Sequence, residues 1–306
     1  MNDILKPRDL AAYRQGNTGI DYVHRFDSGR PGPHVLVNAL THGNEFCGMV
    51  AACHLLDTGV RPRIGTLTVS FANVAAYESF DPARPLASRL LVHNMNRIWS
   101  AQWLDGTEDS PELRRARELR PVVAAADHVL DLHSTSADVQ AFWVYQDHAR
   151  NAAAACAIGQ PQVHLVMPGG LGSGTPLIEH GRFADPGYAG VSLVAECGGH
   201  FRRETGALAV EVALDFIGHF GLIERARVPR PAPRRYRLLR TVVIRTPHWR
   251  FERPVSGFES FEAGEVIAWD GDEAVRAPDG GCTILMPTKN PYVGNEGVYL
   301  AQALGD

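Results

Sequence analysis

The sequence has no cysteine pair at metal-binding spacing and no long apolar or basic run. Its five cysteines are scattered along 306 residues without a CxxC motif, which argues against a disulfide framework and a cysteine zinc knuckle. The net charge of −4, without a basic run, gives little support to nucleic-acid binding. No stretch approaches ~18 apolar residues, and the N-terminus lacks an apolar signal core. We therefore expect a cytoplasmic protein with no nucleic-acid or membrane partner.

What the sequence does contain is typical of an ordinary soluble globular protein. Apolar residues make up 45% and charged residues 21% of the chain. The length suggests one large domain or two unequal ones. A proline-rich stretch at 229–233 indicates a linker. We predict an α/β domain over residues 1–228. Short strands and turns then predict a small all-β domain over residues 229–306, with sandwich or barrel spacing.

Strands and helices alternate between residues 30 and 225, which predicts an α/β fold with a mixed sheet flanked by helices. The predicted strands cover 35–40, 66–72, 129–133, 141–145, 164–167 and 190–196. The predicted helices cover 45–56, 111–126, 151–158 and 203–223. In such sheets the functional residues gather where strands end.

Three predicted strands end in side chains that bind metals or transfer protons. His42 and Glu45 follow the first strand, His133 ends the third, and Glu196 ends the last. Two histidines and one glutamate are a common catalytic zinc set that leaves one coordination position open. The sequence thus predicts one Zn²⁺ per chain. A further carboxylate must take a proton from water, and Glu196 is the best candidate.

Each of these residues also has an ordinary structural interpretation. A histidine and a glutamate three apart often occur by chance, and Asn44 could instead cap the following helix with Glu45 in its first turn. His133 alone could be a satisfied polar residue, and Glu196 alone could belong to an ion pair. Their joint occurrence at three strand ends favours the metal centre.

A long segment, residues 73–103, carries polar side chains without a regular period. Long ordered loops in compact domains are often functional. An amide hydrolase whose substrate bears a carboxylate needs a guanidinium fork, and a second cation near the developing oxyanion assists catalysis. Arg89 and Arg97 are the candidates.

Together these motifs resemble the succinylglutamate desuccinylase/aspartoacylase family, a branch of the zinc carboxypeptidases. The motifs that carry the resemblance are His42-Gly43-Asn44-Glu45, Asn96-Arg97, Asp131-Leu132-His133, Glu196 and the tail Asn295-Glu296-Gly297-Val298-Tyr299. They extend from about residue 34 to 300. The resemblance implies a carboxypeptidase-like fold and zinc-dependent hydrolysis of the amide bond in a small N-acyl amino acid or related N-acyl amine.

The resemblance also implies a role for each matching residue. The expected zinc ligands are His42, Glu45 and His133. Glu196 is expected to act as general base and then acid, while Arg89 polarises the scissile carbonyl. The expected substrate-binding residues are Asn96, Arg97 and Tyr299, the last reaching the site from the β domain. The resemblance thus implies that residues 1–228 form the catalytic domain and that the β domain over residues 229–306 covers the active site. The partner is then a small N-acylated molecule that carries a carboxylate, and a homo-oligomer is compatible with the sequence.

The sequence departs from the family pattern in two places. Asn94 stands where the family commonly has Asp in its Asp-Leu-Asn-Arg motif. No arginine matches a further substrate-binding position, and Arg182 is the nearest choice. Two other functions stay open: a zinc carboxypeptidase acting on short peptides, and a non-catalytic ligand-binding relative. A carrier role for the β domain, with modification at Lys289, is disfavoured by the residues around that lysine.

Overall fold

The computed structural model describes residues 4–169, 173–226 and 228–305, which form fourteen strands and six α-helices with several 3₁₀ turns between them. The strands are β1 (Val23–Asp27), β2 (His34–Ala39), β3 (Thr66–Phe71), β4 (His128–Thr135), β5 (Phe142–Gln146), β6 (Val163–Met167), β7 (Ser192–Gly199), β8 (Arg234–Val243), β9 (Trp249–Phe251), β10 (Ser260–Phe261), β11 (Val266–Asp270), β12 (Glu273–Arg276), β13 (Cys282–Leu285) and β14 (Glu296–Leu304). The helices are α1 (Phe46–Asp57), α2 (Val74–Glu78), α3 (Ala101–Leu104), α4 (Pro111–Ala125), α5 (Ala149–Ile158) and α6 (Arg203–His219).

Eleven strands form one mixed sheet in the order β1-β3-β2-β4-β7-β5-β6-β8-β14-β13-β10, and a second sheet has the order β12-β11-β9. At the centre of the large sheet, β3, β2, β4 and β7 run parallel. Every residue of β2 and β3 is buried, as expected for parallel strands covered on both faces. The carboxyl ends of these strands therefore lie at one edge. The predicted mixed α/β sheet flanked by helices is confirmed.

Local signals explain where the helices begin. The Ser110 side chain accepts a hydrogen bond from the Leu113 amide at the start of α4, and Pro111 occupies the first helical position. The alternative in which Asn44 caps α1 is wrong. Glu45 takes the N-cap position and makes no capping hydrogen bond with its side chain. The carboxylate of Glu45 is therefore available for other contacts.

The C-terminal strands extend the large sheet. β8 pairs in parallel with β6, and β14, β13 and β10 follow it with antiparallel pairing. The described residues from 228 to 305 contain strands but no helix. The small sheet packs on these strands through a core that includes Val242, Ile267 and Ile284. The boundary of the predicted β domain at residue 229 stays a prediction.

None of the helices that the structure describes is both long enough and apolar enough to cross a membrane. The largest buried cluster lies where α1 and α6 pack on the central strands. It includes Phe46 at the start of α1 and Phe216 in α6. The two helices pack on each other and against the central strands whose carboxyl ends carry the predicted site residues.

Candidate metal centre and active-site cavity

The turn between β2 and α1 carries His42 and Glu45 into the interior. Both residues are at most 2% exposed. Leu40, at the start of the turn, has a left-handed backbone with φ of 59°, which is unfavourable for a bulky side chain. Position 43 requires glycine because the neighbouring backbone is too close for a side chain. A Cβ atom there would lie 2.4 Å from backbone atoms of Ala76 and Ser88. The turn is thus shaped tightly around these two polar side chains.

Strand pairing places His133 next to Glu196. The two residues are register partners in the parallel pair of β4 and β7. Both are buried, His133 at 1% and Glu196 at 5% exposure. Because β2 lies on the other side of β4, the turn with His42 meets the same edge of the sheet. The three strand ends therefore converge on one point.

His42, Glu45 and His133 form a cluster that could hold a metal ion. One ligand atom from each residue lies within 4.8 Å of the others. The Glu45 carboxylate lies between the two rings, with Oε1 2.8 Å from His42 Nδ1 and Oε2 2.9 Å from His133 Nδ1. Two imidazoles and a carboxylate are suitable donors for zinc and related divalent cations.

Polar groups behind the cluster fix both imidazole rings. His133 Nε2 lies 2.8 Å from Asp131 Oδ2, and His42 Nε2 lies 2.9 Å from Asn94 Oδ1. Asp131 Oδ1 also accepts hydrogen bonds of 2.8 Å from Asn38 Nδ2 and Thr41 Oγ1. Such outer partners hold a metal-binding histidine in one tautomer and orientation. Here they leave both Nδ1 atoms facing Glu45.

The electrostatic environment of the two histidines differs. Burial, together with the nearby charge of Arg89, lowers the pKa of His42 to about 4. Burial also lowers the pKa of His133, but Asp131 and Glu45 outweigh it and raise that pKa well above its usual value. Metal binding needs neutral imidazoles. His42 already favours that form, and a cation in the cluster would displace the proton from His133.

Glu196 lies beside the cluster with a free carboxylate oxygen. Within the described part of the chain, its buried Oε2 has no hydrogen-bond partner. Burial raises the pKa of Glu196 to about 8, since the charged form loses its hydration. A carboxyl group with a pKa near neutrality is suited to take up and release a proton.

Arg89 reaches the same point from the 3₁₀ turn Ala87–Arg89. Its Nη1 donates to Glu45 Oε1 at 3.2 Å, and its side chain is 24% exposed. The Arg89 carbonyl also accepts a hydrogen bond from the Gly43 amide at 3.1 Å. Arg89 is therefore fixed beside the cluster by two contacts, with part of its guanidinium open to a bound molecule.

One cavity contains all eight predicted site residues: His42, Glu45, Arg89, Asn96, Arg97, His133, Glu196 and Tyr299. The cavity opens to solvent. Its empty volume, including the open solvent at its mouth, is about 1180 Å³. Its walls also contain apolar side chains, namely Leu86, Val144, Met167, Ile178, Val194 and Met286. We use the name metal end for the part of this cavity lined by His42, Glu45, His133 and Glu196.

In another part of the cavity lining, Arg97 pairs with Glu296 from β14. Arg97 Nη2 lies 2.7 and 2.6 Å from the two carboxylate oxygens of Glu296, and Nε lies 3.1 Å from Oε1. The Tyr299 hydroxyl donates to Glu296 Oε2 at 2.7 Å and accepts from Arg97 at 3.2 Å. With Glu179, which also lines the cavity, these residues form the recognition end.

Asn96 connects the recognition end to the loop that carries Glu179. Its Oδ1 accepts a hydrogen bond of 3.1 Å from the Leu177 amide, at the start of the 3₁₀ turn Leu177–Glu179. Asn94, two residues earlier, accepts from the Asn96 amide at 2.9 Å with the same oxygen that faces His42. Asn94 thus links a histidine of the metal cluster to the turn that carries Arg97.

The sequence interpretation gave no role to several residues that line the cavity or lie behind it. Asp131 could have been found, because it lies two residues before His133 on the same strand face. Glu296 lies inside the recognised tail motif but received no role. Glu179 has no sequence signal of its own. Arg182, the nearest choice for a further substrate-binding arginine, is outside the cavity lining and donates to the Ala126 carbonyl at 2.6 Å.

Another unassigned residue is His200, which lines the cavity and lies 2.8 Å through Nδ1 from the Ser134 hydroxyl. Burial lowers its pKa to about 4. The Ser134 amide donates to Glu45 Oε2 at 3.3 Å. His200 is therefore a neutral wall residue one contact away from the cluster.

Comparison with protein families places the sheet and the cluster in a known family. The family model described as the succinylglutamate desuccinylase/aspartoacylase catalytic domain matches residues 31–199, which is more than half of the chain. The matched segment includes β2, β4 and β7 and all four residues of the metal end.

Among individual proteins, the chain is 26% identical over 284 residues to a succinylglutamate desuccinylase of Vibrio vulnificus, which covers 87% of this chain and 80% of the relative. It is 32% identical over 126 residues to an N-acyl-aromatic-L-amino acid amidohydrolase of Rattus norvegicus, and this match spans only 37% of either chain. The crystal structure of a succinylglutamate desuccinylase from Vibrio cholerae shares the fold, with a TM-score of 0.71 at 19% identity over 93% of this chain and 86% of the other.

Proposed function

Because this chain belongs to the succinylglutamate desuccinylase/aspartoacylase family, we propose that it is a zinc-dependent deacylase. Its reaction is hydrolysis of the amide bond of a small N-acyl amino acid or related N-acyl amine to a carboxylate and a free amine. One observation carries the proposal: a buried cluster of two histidines and a glutamate shares a cavity with the unpartnered carboxylate oxygen of Glu196.

The proposed zinc ligands are His42, Glu45 and His133, because their donor atoms converge and their outer nitrogens are already fixed by Asp131 and Asn94. When bound, zinc would supply a Lewis acid that lowers the pKa of water and polarises a carbonyl group. The residues around it must then move protons and stabilise charge.

Glu196 is the proposed proton carrier. Its raised pKa, due to burial, allows it to accept a proton from the attacking water and later deliver it to the leaving amine. The free Oε2 atom is available for both transfers, since none of the described residues hydrogen-bonds to it. The two steps leave Glu196 in its starting state, with the amide bond broken.

Arg89 is proposed to stabilise the negative charge that develops on the carbonyl oxygen when water attacks the acyl carbon. Its guanidinium is fixed beside Glu45 and is partly exposed to the cavity. A preorganised cation at such a position is effective because it needs no reorganisation during the reaction.

We propose that the amine half of the substrate is bound by Asn96, Arg97 and Tyr299. The guanidinium of Arg97 would donate hydrogen bonds to the substrate carboxylate. In the structure the Arg97 donors contact Glu296, so a substrate carboxylate would share this guanidinium with it. Tyr299 and Met286 bring the C-terminal strands into the cavity wall. We further propose that residues 229–306 act as a β domain that restricts the cavity to small molecules.

A hydrolysis screen of the zinc-loaded protein tests this function. N-acetyl, N-formyl and N-succinyl amino acids are compared with a panel of short peptides, and the free amine is quantified. We expect release of amine from N-acyl amino acids and little cleavage of peptides. Cleavage confined to the C-terminal residues of peptides would instead favour a zinc carboxypeptidase. Zinc binding without any hydrolysis would favour a non-catalytic relative.

A further inference from the structure

The recognition end contains more carboxylates than cations. Among the residues described in the cavity lining, the only arginine or lysine side chains are Arg89 and Arg97. Arg89 contacts Glu45 at the metal end. Arg97 therefore faces two carboxylates at the recognition end, Glu296 and Glu179.

The donors of Arg97 are already used within the protein. In addition to the contacts with Glu296, Nη1 donates to the Asn96 carbonyl at 2.6 Å and Nε donates to Ser173 Oγ at 2.9 Å. Arg97 and Glu296 are largely buried, with 18% and 15% of their side chains exposed. Their charges cancel each other. A substrate carboxylate can share this guanidinium, but a second carboxylate has no cation left to bind.

Glu179 is the carboxylate that remains uncompensated. It follows the buried Ile178 in the turn that Asn96 supports, and both line the cavity. No arginine or lysine of the described chain forms an ion pair with it within 4.0 Å. Burial raises the pKa of Glu179, while Arg97 and a hydrogen bond with Gln146 lower it only in part. A partly buried carboxylate of this kind gains from a cationic ligand.

Building on the proposed function, we propose that Glu179 selects substrates whose amine half carries an ammonium or guanidinium group. The preferred substrates are then N-acylated basic amino acids or N-acylated diamines. N-acylated dicarboxylic amino acids are rejected, because their second carboxylate would face Glu179 and Glu296 without a free cation. The apolar walls formed by Val144 and Ile178 suit the methylene chain that joins such a cation to the amide.

Three substrates of nearly equal size test this charge preference: Nα-acetylornithine, Nα-acetylnorleucine and N-acetylglutamate. With zinc-loaded protein, kcat/KM should fall in this order, by at least about tenfold from the ornithine to the norleucine compound. In Glu179→Gln the ratio of ornithine to norleucine should fall towards one. Glu179→Lys should invert the order in favour of glutamate. The exposed Glu204→Gln serves as the matched control and should keep the wild-type ratio. A wild-type ratio at or below one, or a ratio unchanged in Glu179→Gln, would overturn the proposal.

A binding measurement separates this inference from the proposed function. Calorimetric titration of zinc-loaded wild type and Glu179→Gln with free ornithine and norleucine requires no hydrolysis. Tighter binding of ornithine by the wild type, lost in Glu179→Gln, supports the charge preference even if no amide is cleaved. Equal binding of the two amino acids by the wild type contradicts it. Hydrolysis of all three acetylated substrates at equal rates would support the proposed deacylase activity and contradict the charge preference.

Discussion

Glu196 and Glu296 are two buried glutamates of the same cavity that experience opposite environments. Burial raises the pKa of Glu196 to about 8, and its Oε2 has no partner among the described residues. Burial acts in the same direction on Glu296, but Arg97, Ser173 and Tyr299 outweigh it and lower the pKa to about 2. One carboxyl group can exchange a proton near neutral pH, whereas the other is a permanent charge. This difference in pKa agrees with the proposed roles, proton transfer at the metal end and substrate binding at the recognition end.

The two ends also differ in the elements that support them. His133 and Glu196 are neighbours in a parallel strand pair, and two other strand-end residues complete the metal end. The recognition end joins Arg97 to Glu296, which are 199 positions apart in the chain. In the proposed reaction the regular sheet would fix the reacting groups, and loops together with β14 would form the surface that contacts the variable part of the substrate.

The largest expected effect is on turnover in Glu196→Gln. Removing the proton carrier should lower kcat by about 10²- to 10⁴-fold, because the amide cannot exchange a proton. Metal content should be unchanged, since Glu196 is not a proposed ligand. Glu296→Gln is the comparison and should affect KM more than kcat. Steady-state kinetics on a substrate identified by the screen, with metal analysis of each protein, provides the measurement. Turnover near the wild-type level in Glu196→Gln would contradict the proposed role of Glu196 as proton carrier.

The next effect concerns the pH dependence of unfolding of the metal-free protein. The folded-state pKa of Glu296 lies below its ordinary value of 4.5, so its stabilisation is present above that pH and lost as the pH falls towards 2. The pKa of Glu196 lies above 4.5, so its contribution is complete below 4.5 and lost as the pH rises through 8. The contribution to the free energy of unfolding is about 3 kcal/mol for Glu296 and about 5 kcal/mol for Glu196.

Urea unfolding at pH 3, 6 and 9 compares the two variants with the wild type. Glu296→Gln should lose less stability than the wild type between pH 6 and 3. Glu196→Gln should lose less between pH 6 and 9. If both variants follow the wild-type pH profile, the contrast between the two glutamates is incorrect.

A smaller effect is expected from the outer partner of His133. Asp131→Asn keeps the shape of the side chain but removes the charge that orients the imidazole and increases its basicity. Zinc affinity should fall by about 10- to 100-fold. Competition with a fluorescent chelator measures the change, and Asp272→Asn on the exposed surface is the control. Equal affinities in Asp131→Asn and the control would show that Asp131 has no such role.

The smallest effect is expected at Asn94, where the family commonly has aspartate. Asn94→Asp would place a carboxylate against His42 Nε2 in the same geometry. Zinc affinity should rise, by less than about tenfold, because the partner of one ligand becomes charged. The hydrogen bond from the Asn96 amide can be kept by either side chain. A lower affinity in the same chelator competition would contradict this interpretation.

Much of the metal end could be predicted from the sequence because its residues follow regular strands. Apolar runs located β2, β4 and β7, and parallel pairing brings their carboxyl ends together. The four residues of the metal end lie near one another because β2, β4 and β7 are neighbours in the sheet. The exact start of α1 was missed, since the preference of asparagine for a cap did not outweigh the tight turn around Gly43.

The recognition end could be predicted only in part. Arg97 was a candidate because of its long polar segment and the motif resemblance, and Tyr299 because of the resemblance alone. The structure brings both into the cavity. The pairing of Arg97 with Glu296 depends on how β8 and β14 extend the sheet, which no local pattern specifies. Glu179 lies in a short 3₁₀ turn fixed by Asn96, so its position depends on a tertiary hydrogen bond. Charge balance in this part of the cavity was therefore invisible in the sequence.

The central claim is that His42, Glu45 and His133 bind one zinc ion per chain. Elemental analysis of the purified protein after zinc loading and dialysis tests it most directly, with wild type, His133→Ala, Glu45→Gln and the exposed His248→Ala compared at equal concentration. Circular dichroism establishes that each variant is folded. We predict close to one zinc per chain in the wild type and His248→Ala, and little zinc in the other two variants. Near-stoichiometric zinc in folded Glu45→Gln and His133→Ala would contradict the metal centre.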